Sequence, residues 1–304
     1  MNKNWKFYNP LFEYKQGLDD VMKSWDGGNF FEYNWDLYPS VFDYKEGFED
    51  YNLPWTGHSF FSYDLVRNIQ PKVIAELGTF KGTSLYTFAQ AAKDSAIDTK
   101  IFAIDSWEGE EQTGEYGEEI YDFVRKMVRK HYPEQEIRLM KMYFNEALKE
   151  FEDGSIDILH IDGLHTYEAV KDDYDSWKEK VSNDGIIFFH DVNVSDFGVW
   201  KVFEEAAKEY SDGISFKFKH NYGLGVIIKN KETIPELQDM KFRDLFVEVY
   251  KFIALGVLKA EENSVLRKEL NSLQEKVDKQ EKHIDFLNKS LDRKSIKLIK
   301  KIFP

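Results

Sequence analysis

Between Pro71 and Asn230 the chain alternates short β-branched apolar runs with helical stretches, and this alternation restricts its fold more than any other feature. Lys72–Leu77, Ile101–Asp105, Ile137–Met140, Ile156–Ile161 and Ile186–Phe189 read as five strands. Each is too continuously apolar to have a solvated face, so the strands belong in a parallel sheet covered on both sides by helices. A helix is expected from Thr83 to Lys93, with Leu85, Phe88, Ala89 and Ala92 on one face. A second carries Tyr167, Val170, Tyr174, Trp177 and Val181 at spacings of three and four, and a third carries Val199, Phe203, Ala206 and Tyr210. Two last strands, Ile214–Phe218 and Leu224–Ile228, are joined by the short turn His220–Gly223, too short for a helical crossover, so they pair antiparallel. The expected fold is a Rossmann-like, doubly wound, seven-stranded and mostly parallel sheet ending in an antiparallel hairpin. Ligands of such sheets sit outside the carboxyl ends of the strands, which is where the chemistry is to be sought.

Composition removes several classes of function. The 304 residues include 41 Lys+Arg and 55 Asp+Glu, so 41 − 55 = −14, a charge that repels nucleic acid. No cysteine is present, which excludes disulfides, thiolate catalysis and Cys-ligated zinc. The first ten residues lack the basic-then-apolar profile of a signal peptide, and no apolar run approaches membrane-spanning length. The expected location is the cytoplasm, with possible peripheral contact at the inner face of the cell membrane.

Four regions are expected. Residues 1–70 are an aromatic-rich subdomain, because 19 of the chain's 49 Phe, Trp and Tyr fall between Trp5 and Tyr63. Large rings of this kind pack on a core or offer faces to ring-shaped ligands. Within it, Phe12–Asp20 is echoed by Phe42–Asp50. Residues 71–230 are the ligand-binding sheet domain, and 231–261 a helical connector. Residues 262–304 carry a heptad seam of Leu266, Leu270, Leu273, Val277, Gln280, Ile284, Leu287 and Leu291. That seam predicts a coiled coil that joins copies of the chain, with Gln280 as its one polar break. The last stretch, Arg293–Pro304, places five basic residues on one half of a helical wheel and apolar residues on the other. This suits an anionic membrane surface or a solvated basic tail.

Four strand ends carry suggestive groups. The first strand runs into Glu76-Leu77-Gly78-Thr79-Phe80-Lys81-Gly82-Thr83-Ser84, where Gly78 permits a sharp turn and Gly82 a close ligand approach at a helix N-terminus. The spacing fits neither a P-loop nor, with Phe80 at the central glycine position, the dinucleotide fingerprint. The second strand ends in Asp105, placed to accept hydrogen bonds from ribose hydroxyls. Asp162 and His165 follow the fourth strand, and His190 and Asp191 end the fifth. Two carboxylates and an imidazole suit a hard divalent ion such as Mg²⁺ or Mn²⁺, and a further His beside it suits a general base. His160, inside its strand, reads as a packed core residue.

Together, Glu76-x-Gly78-x-x-x-Gly82-x-Ser84, Asp105, Ile161-Asp162-Gly163-x-His165-x-Tyr167 and Phe189-His190-Asp191 resemble class I S-adenosylmethionine-dependent methyltransferases. The nearest group is the metal-dependent O-methyltransferases acting on sugars of macrolides and bacterial surface glycans. The resemblance covers about Pro71 to Asn230, including the loop from Asp105 to Glu118. It implies that Glu76, Gly78, Thr79, Gly82 and Ser84 line the methionine part of the cofactor. Asp105 would hold its ribose, with Ser106 also binding the cofactor, and the segment Met142-Tyr143-Phe144 would border its adenine. Asp162, His190 and Asp191 would bind the metal, with His165 as the base and Asp162 beside it in the catalytic set. Leu164 stands where the group often has an acid, and His190 where macrolide sugar enzymes carry a second acid. The loop from Glu108 to Glu119, with its three glycines, is expected to close as a lid.

The expected function is therefore methyl transfer to a sugar hydroxyl of a surface polysaccharide (O-antigen-like) or its lipid-linked precursor, with the membrane surface or a glycosyltransferase as the expected partner. Alternatives are a small secondary-metabolite acceptor, a non-catalytic cofactor-binding scaffold in a glycan-assembly complex, and a nicotinamide-dependent oxidoreductase.

Overall fold

Seven strands pair in the order β5-β2-β1-β6-β7-β9-β8 in a computed structural model that describes residues 30–38, 42–44, 54–110, 114–115, 117–259, 274–276, 278–280 and 282. The strands are β1 (Val73–Leu77), β2 (Lys100–Asp105), β5 (Ile137–Lys141), β6 (Ile156–Ile161), β7 (Val181–His190), β8 (Ile214–Phe218) and β9 (Leu224–Ile228). The first five in the spatial order are mutually parallel, and β9 pairs antiparallel with both β7 and β8. The remaining two strands, β3 (Gly109–Glu110) and β4 (Gly114–Glu115), form a separate antiparallel pair within the expected lid loop. This is the doubly wound sheet with an antiparallel tail that the alternation of apolar runs predicts.

The helices are α1 (Ser59–Ile69), α2 (Thr83–Ser95), α3 (Glu118–His131), α4 (Phe144–Ala147), α5 (Tyr167–Trp177) and α6 (Val199–Glu209), followed by α7 over 240–259. Successive strand residues point to opposite faces, and both faces are buried. Ile74, Ile101, Ile158, Ile186 and Phe188 share one core with α1, α2, α3 and α7. Leu77, Ile104, Leu159, Ile161, Ile187 and Phe189 share the other with α5 and α6. Val181, expected on the helical stripe of α5, instead begins β7 and pairs with Ile156. A 3₁₀ turn over Lys178–Lys180 ends the helix first, and a β-branched residue there completes the sheet at little cost.

The rings before β1 belong to the first core. Phe30, Trp35, Phe42, Tyr44 and Trp55 are buried in the same cluster as the sheet. Trp35 Nε1 donates to Tyr250 Oη at 2.9 Å, and Tyr250 Oη donates to Asp64 at 2.7 Å. The described rings are thus used for packing rather than as a separate layer. The chain divides into two compact units, Met1–Leu258 and Lys259–Pro304, so the boundaries expected near residues 70 and 230 fall inside the first.

Residues Pro54–His58 form a 3₁₀ turn stitched to the β8–β9 connection. His58 Nε2 donates to Asn221 O at 3.2 Å, His220 Nε2 to Gly57 O at 3.2 Å, and Asn221 Nδ2 to Pro54 O at 3.1 Å. These bonds seat Trp55 against the carboxyl ends of β6 and β7, where it meets His160 and His190.

In the second unit, 274–276, 278–280 and 282 are helical and Gln280 is exposed. The seven apolar members of the heptad seam and the basic stretch 293–304 lie outside the described residues. Among the described residues, no helix is long and apolar enough to cross a membrane.

Candidate active site

The chain leaves β1 for β2 and β5 on one side and for β6 and β7 on the other, so a crevice opens at the carboxyl ends of β1 and β6. The pairing registers Leu77 with Ile104, Leu77 with Ile161 and Ile161 with Phe189 bring the four strand ends level. A cavity of about 440 Å³ lies there.

One wall is a tight turn made of backbone. Gly78 has φ of 91°, and a Cβ on it would stand 2.0 Å from the carbonyl oxygen of Asp162. Only glycine permits both the left-handed conformation and that contact. Gly82, at φ 84°, is the N-cap of α2 and carries no side-chain cap, so the helix presents its first-turn amides to the cavity. The turn is locked from β2. Asp105 Oδ2 accepts the amides of Thr79 (2.9 Å) and Phe80 (2.8 Å), and Oδ1 accepts that of Trp107 (2.7 Å). Trp107 Nε1 in turn donates to Phe80 O at 2.9 Å. Phe80 and Trp107 are held at φ 47° and 50°, sparsely populated for such residues. Burial raises the Asp105 pKa, against the pull of the three amides.

The opposite wall is built of charge. Asp162 begins where β6 ends, its amide bonded to Leu77 O at 2.8 Å. Asp191 follows β7 at φ 64°, a left-handed turn held by its amide to Gly223 O at 2.9 Å. His165 lies on the loop into α5, its ring stacked on Phe197 with centroids 4.4 Å apart. His165 Nε2 stands 2.8 Å from Asp191 Oδ2 and 4.0 Å from Asp162 Oδ1. His190, 2% exposed, directs Nδ1 at Asp162 Oδ1 (3.2 Å) and Asp191 Oδ1 (3.4 Å). Two imidazoles thus meet two carboxylates. Burial opposes charging all four. Their mutual attraction wins: Asp162 and Asp191 lie below the usual carboxylate range, and His165 is raised to about 9. His190 is raised as well.

Of the residues singled out in the sequence, Gly78, Thr79, Gly82, Ser84, Asp105, Ser106 and Tyr143 line the cavity together with Asp162, His165, His190 and Asp191. Glu76 and Met142 do not. Glu76 is fully buried and pairs with His160 at 3.0 Å, and Met142 packs against the second core. The atoms that could share one ion, all within 4.8 Å of one another, belong to Asp162, His165 and Asp191. His190, expected as the third ligand, stands behind both carboxylates. Phe144, from the segment expected to border the adenine, also lines the cavity, as do Pro54 and Trp55, which had no motif to mark them. Trp55 reaches the site through long-range packing, of which its place in an aromatic-rich stretch was the only signal.

Residues 75–192 match the family model of a methyltransferase domain. An uncharacterized protein of Sinorhizobium fredii is 39% identical over 175 residues, which are 57% of this chain and 19% of that protein, so the chain spans about a fifth of that relative's length. Among solved structures, the chain is similar to an S-adenosylhomocysteine-bound methyltransferase from Podospora anserina (14% identity, 73% of this chain and 96% of that one, TM-score 0.47). It is also similar to the O-methyltransferase TomG from Streptomyces achromogenes (15% identity, 74% and 91%, TM-score 0.43). A third is a methyltransferase from Geobacter sulfurreducens (16% identity, 62% and 86%, TM-score 0.45). The stretch 75–192 that matches this family model contains all four strand ends that enclose the cavity.

Proposed function

We propose that the chain is an S-adenosylmethionine-dependent O-methyltransferase that methylates a sugar hydroxyl of a bacterial surface polysaccharide or its lipid-linked precursor. One observation carries the reading. The backbone-built turn, with its glycines and Asp105, and the charged set Asp162, His165 and Asp191 face one another across a single cavity. The sugar assignment rests on the resemblance of the motifs.

The residues fit both absent groups. A donor with an adenosine and an amino-acid end suits a glycine turn that presents free helix amides, with a buried carboxylate at the neighbouring strand end. The paired carboxylates of Asp162 and Asp191 suit a hard divalent ion, and His165, with a ring nitrogen within 4.8 Å of both, stands beside them as the base. When bound, the sulfonium donor supplies the methyl group, and a divalent ion supplies the charge that makes a hydroxyl a better nucleophile.

The chain's own residues do the rest. Asp105 fixes Thr79, Phe80 and Trp107, so the donor wall is formed before ligand arrives. Asp162 and Asp191 would hold the ion. His190 orients both carboxylates from behind. His165, 2.8 Å from Asp191, takes the hydroxyl proton on Nε2. Its pKa of about 9 is set against burial by the two carboxylates, and a cation that drew on them would lower it toward the range of a working base. The loop that carries β3 and β4 is anchored at its start, where Glu108 accepts a hydrogen bond from Tyr143 Oη at 2.6 Å. It closes the cavity over the acceptor. The heptad seam joins copies, and the basic terminus brings them to the membrane face where such glycans are built.

The test is mass spectrometry of surface glycans from cells with and without the protein. A loss of roughly 14 Da, one CH₂, on a single sugar residue is expected. Identical glycans would reject the sugar acceptor.

A further inference from the structure

We propose that Glu76 and His160 are a buried positioning pair for Asp162 and that Glu76 takes no part in holding the donor. The proposal rests on the ion-assisted reading above and departs from the place that the motif resemblance gives Glu76.

The pair follows from the sheet. Glu76 on β1 and His160 on β6 are register partners, so their side chains leave adjacent strands on the same face. Asp162, two residues beyond His160, continues along that side. Glu76 Oε1 lies 3.0 Å from His160 Nδ1, and both side chains are wholly buried. The other ring nitrogen, His160 Nε2, faces Asp162 Oδ2 at 3.9 Å. One imidazole therefore lies between a carboxylate sealed in the core and a carboxylate that lines the cavity.

The ring cannot turn away. Trp55 covers it at 4.5 Å between centroids, and Phe88 and Phe188 meet it edge-on at 6.3 Å. Trp55 itself lines the cavity whereas Glu76 does not. Among the described residues, neither Glu76 Oε2 nor His160 Nε2 has a hydrogen-bond partner. A buried pair kept only for packing would satisfy those atoms, because each unsatisfied polar group costs about 1–3 kcal/mol. An arrangement that leaves His160 Nε2 aimed at Asp162 is what a support for that carboxylate requires. Partners of ligating groups typically change metal affinity about 10–100-fold when removed.

The experiment measures two affinities in the full chain: S-adenosylhomocysteine by calorimetry and Mn²⁺ by electron paramagnetic resonance. Glu76→Gln is expected to weaken Mn²⁺ binding about tenfold and to leave the S-adenosylhomocysteine affinity within about twofold. His160→Gln is expected to do the same and serves as the second variant should Glu76→Gln not fold. Weakened S-adenosylhomocysteine binding with unchanged Mn²⁺ binding in either variant would overturn the proposal and return Glu76 to the donor wall. Failure of the wild type to bind S-adenosylhomocysteine would instead reject the methyl-donor reading. A wild type that binds S-adenosylhomocysteine but no Mn²⁺ would reject the ion together with the support proposed for it.

Discussion

From Gly78 to Ser84 the cavity wall is backbone, whereas from Asp162 to Asp191 it is side-chain charge. The first side depends on conformation: positive φ at Gly78 and Gly82 and amides tied down by one buried carboxylate. The second depends on electrostatic balance, with two imidazoles holding two carboxylates ionised in a buried place. A rigid shape suits a donor that is the same in every turnover. A set of groups that can exchange protons and cations suits the acceptor of the proposed reaction, whose hydroxyl would lose a proton. The two sides meet at one contact, Gly78 against the carbonyl of Asp162.

The largest effect is expected from the charged side alone. Asp191→Ala removes the partner 2.8 Å from His165 and one contact of His190. Methyl incorporation from labelled S-adenosylmethionine into a surface-glycan extract should fall about 10²–10⁴-fold, with S-adenosylhomocysteine affinity changed less than about threefold. Equal losses in both would show that the two walls are not separable.

Gly78→Ala attacks the seam. Its Cβ would stand 2.0 Å from Asp162 O at φ 91°, so the turn must shift and the carbonyl with it. Donor affinity should drop at least about thirtyfold, roughly 2 kcal/mol, and the melting temperature should fall as well. A variant that binds S-adenosylhomocysteine like the wild type would mean that this turn is not the donor wall.

Asp105→Asn is milder. The amide keeps one acceptor for three backbone donors and turns an NH₂ toward at least one of them. One unsatisfied donor costs about 1–3 kcal/mol, and calorimetry should show donor binding weakened about tenfold with methyl transfer restored at saturating donor.

Asp173 sharpens the contrast from within the charged region. It faces Gly163 across from Phe144, and burial, then Asp172, raises its pKa to about 7, where Asp162 and Asp191 are lowered. A carboxylate with a raised folded pKa binds protons more tightly folded than unfolded. Its contribution to stability is therefore greatest at acid pH and is lost as pH rises from about 4 to about 7. Asp173→Asn should raise the melting temperature at pH 8 by a small margin that shrinks toward pH 4. A margin independent of pH would contradict this origin.

Much of this was legible in the sequence, for identifiable reasons. Continuous apolar runs can only be strands covered on both faces, and the short His220–Gly223 turn leaves an antiparallel hairpin as the one pairing. Residues just after such strands fall at one edge, so Gly78, Asp105, Asp162 and Asp191 could be placed together before any coordinates. Three-dimensional direction was not legible. Spacing alone does not show that His190 stands behind the carboxylates while His165 stands beside them. Nor does it show that Glu76, one residue before Leu77, points into the first core toward His160. Trp55 reaches the cavity because three hydrogen bonds from residues 220 and 221 and near residue 58 hold its turn in place, contacts 163 or more positions apart in sequence. Val181 could continue a helical stripe or start a strand, and its pairing with Ile156 decided it.

The central claim is that the glycine turn between β1 and α2 holds a sulfonium methyl donor. Calorimetric titration of the full chain with S-adenosylhomocysteine, with NAD as the control, tests it most directly. Saturable one-to-one binding of S-adenosylhomocysteine, lost in Gly78→Ala, with no binding of NAD is the result predicted here. Binding of NAD alone, or of neither compound, would contradict it.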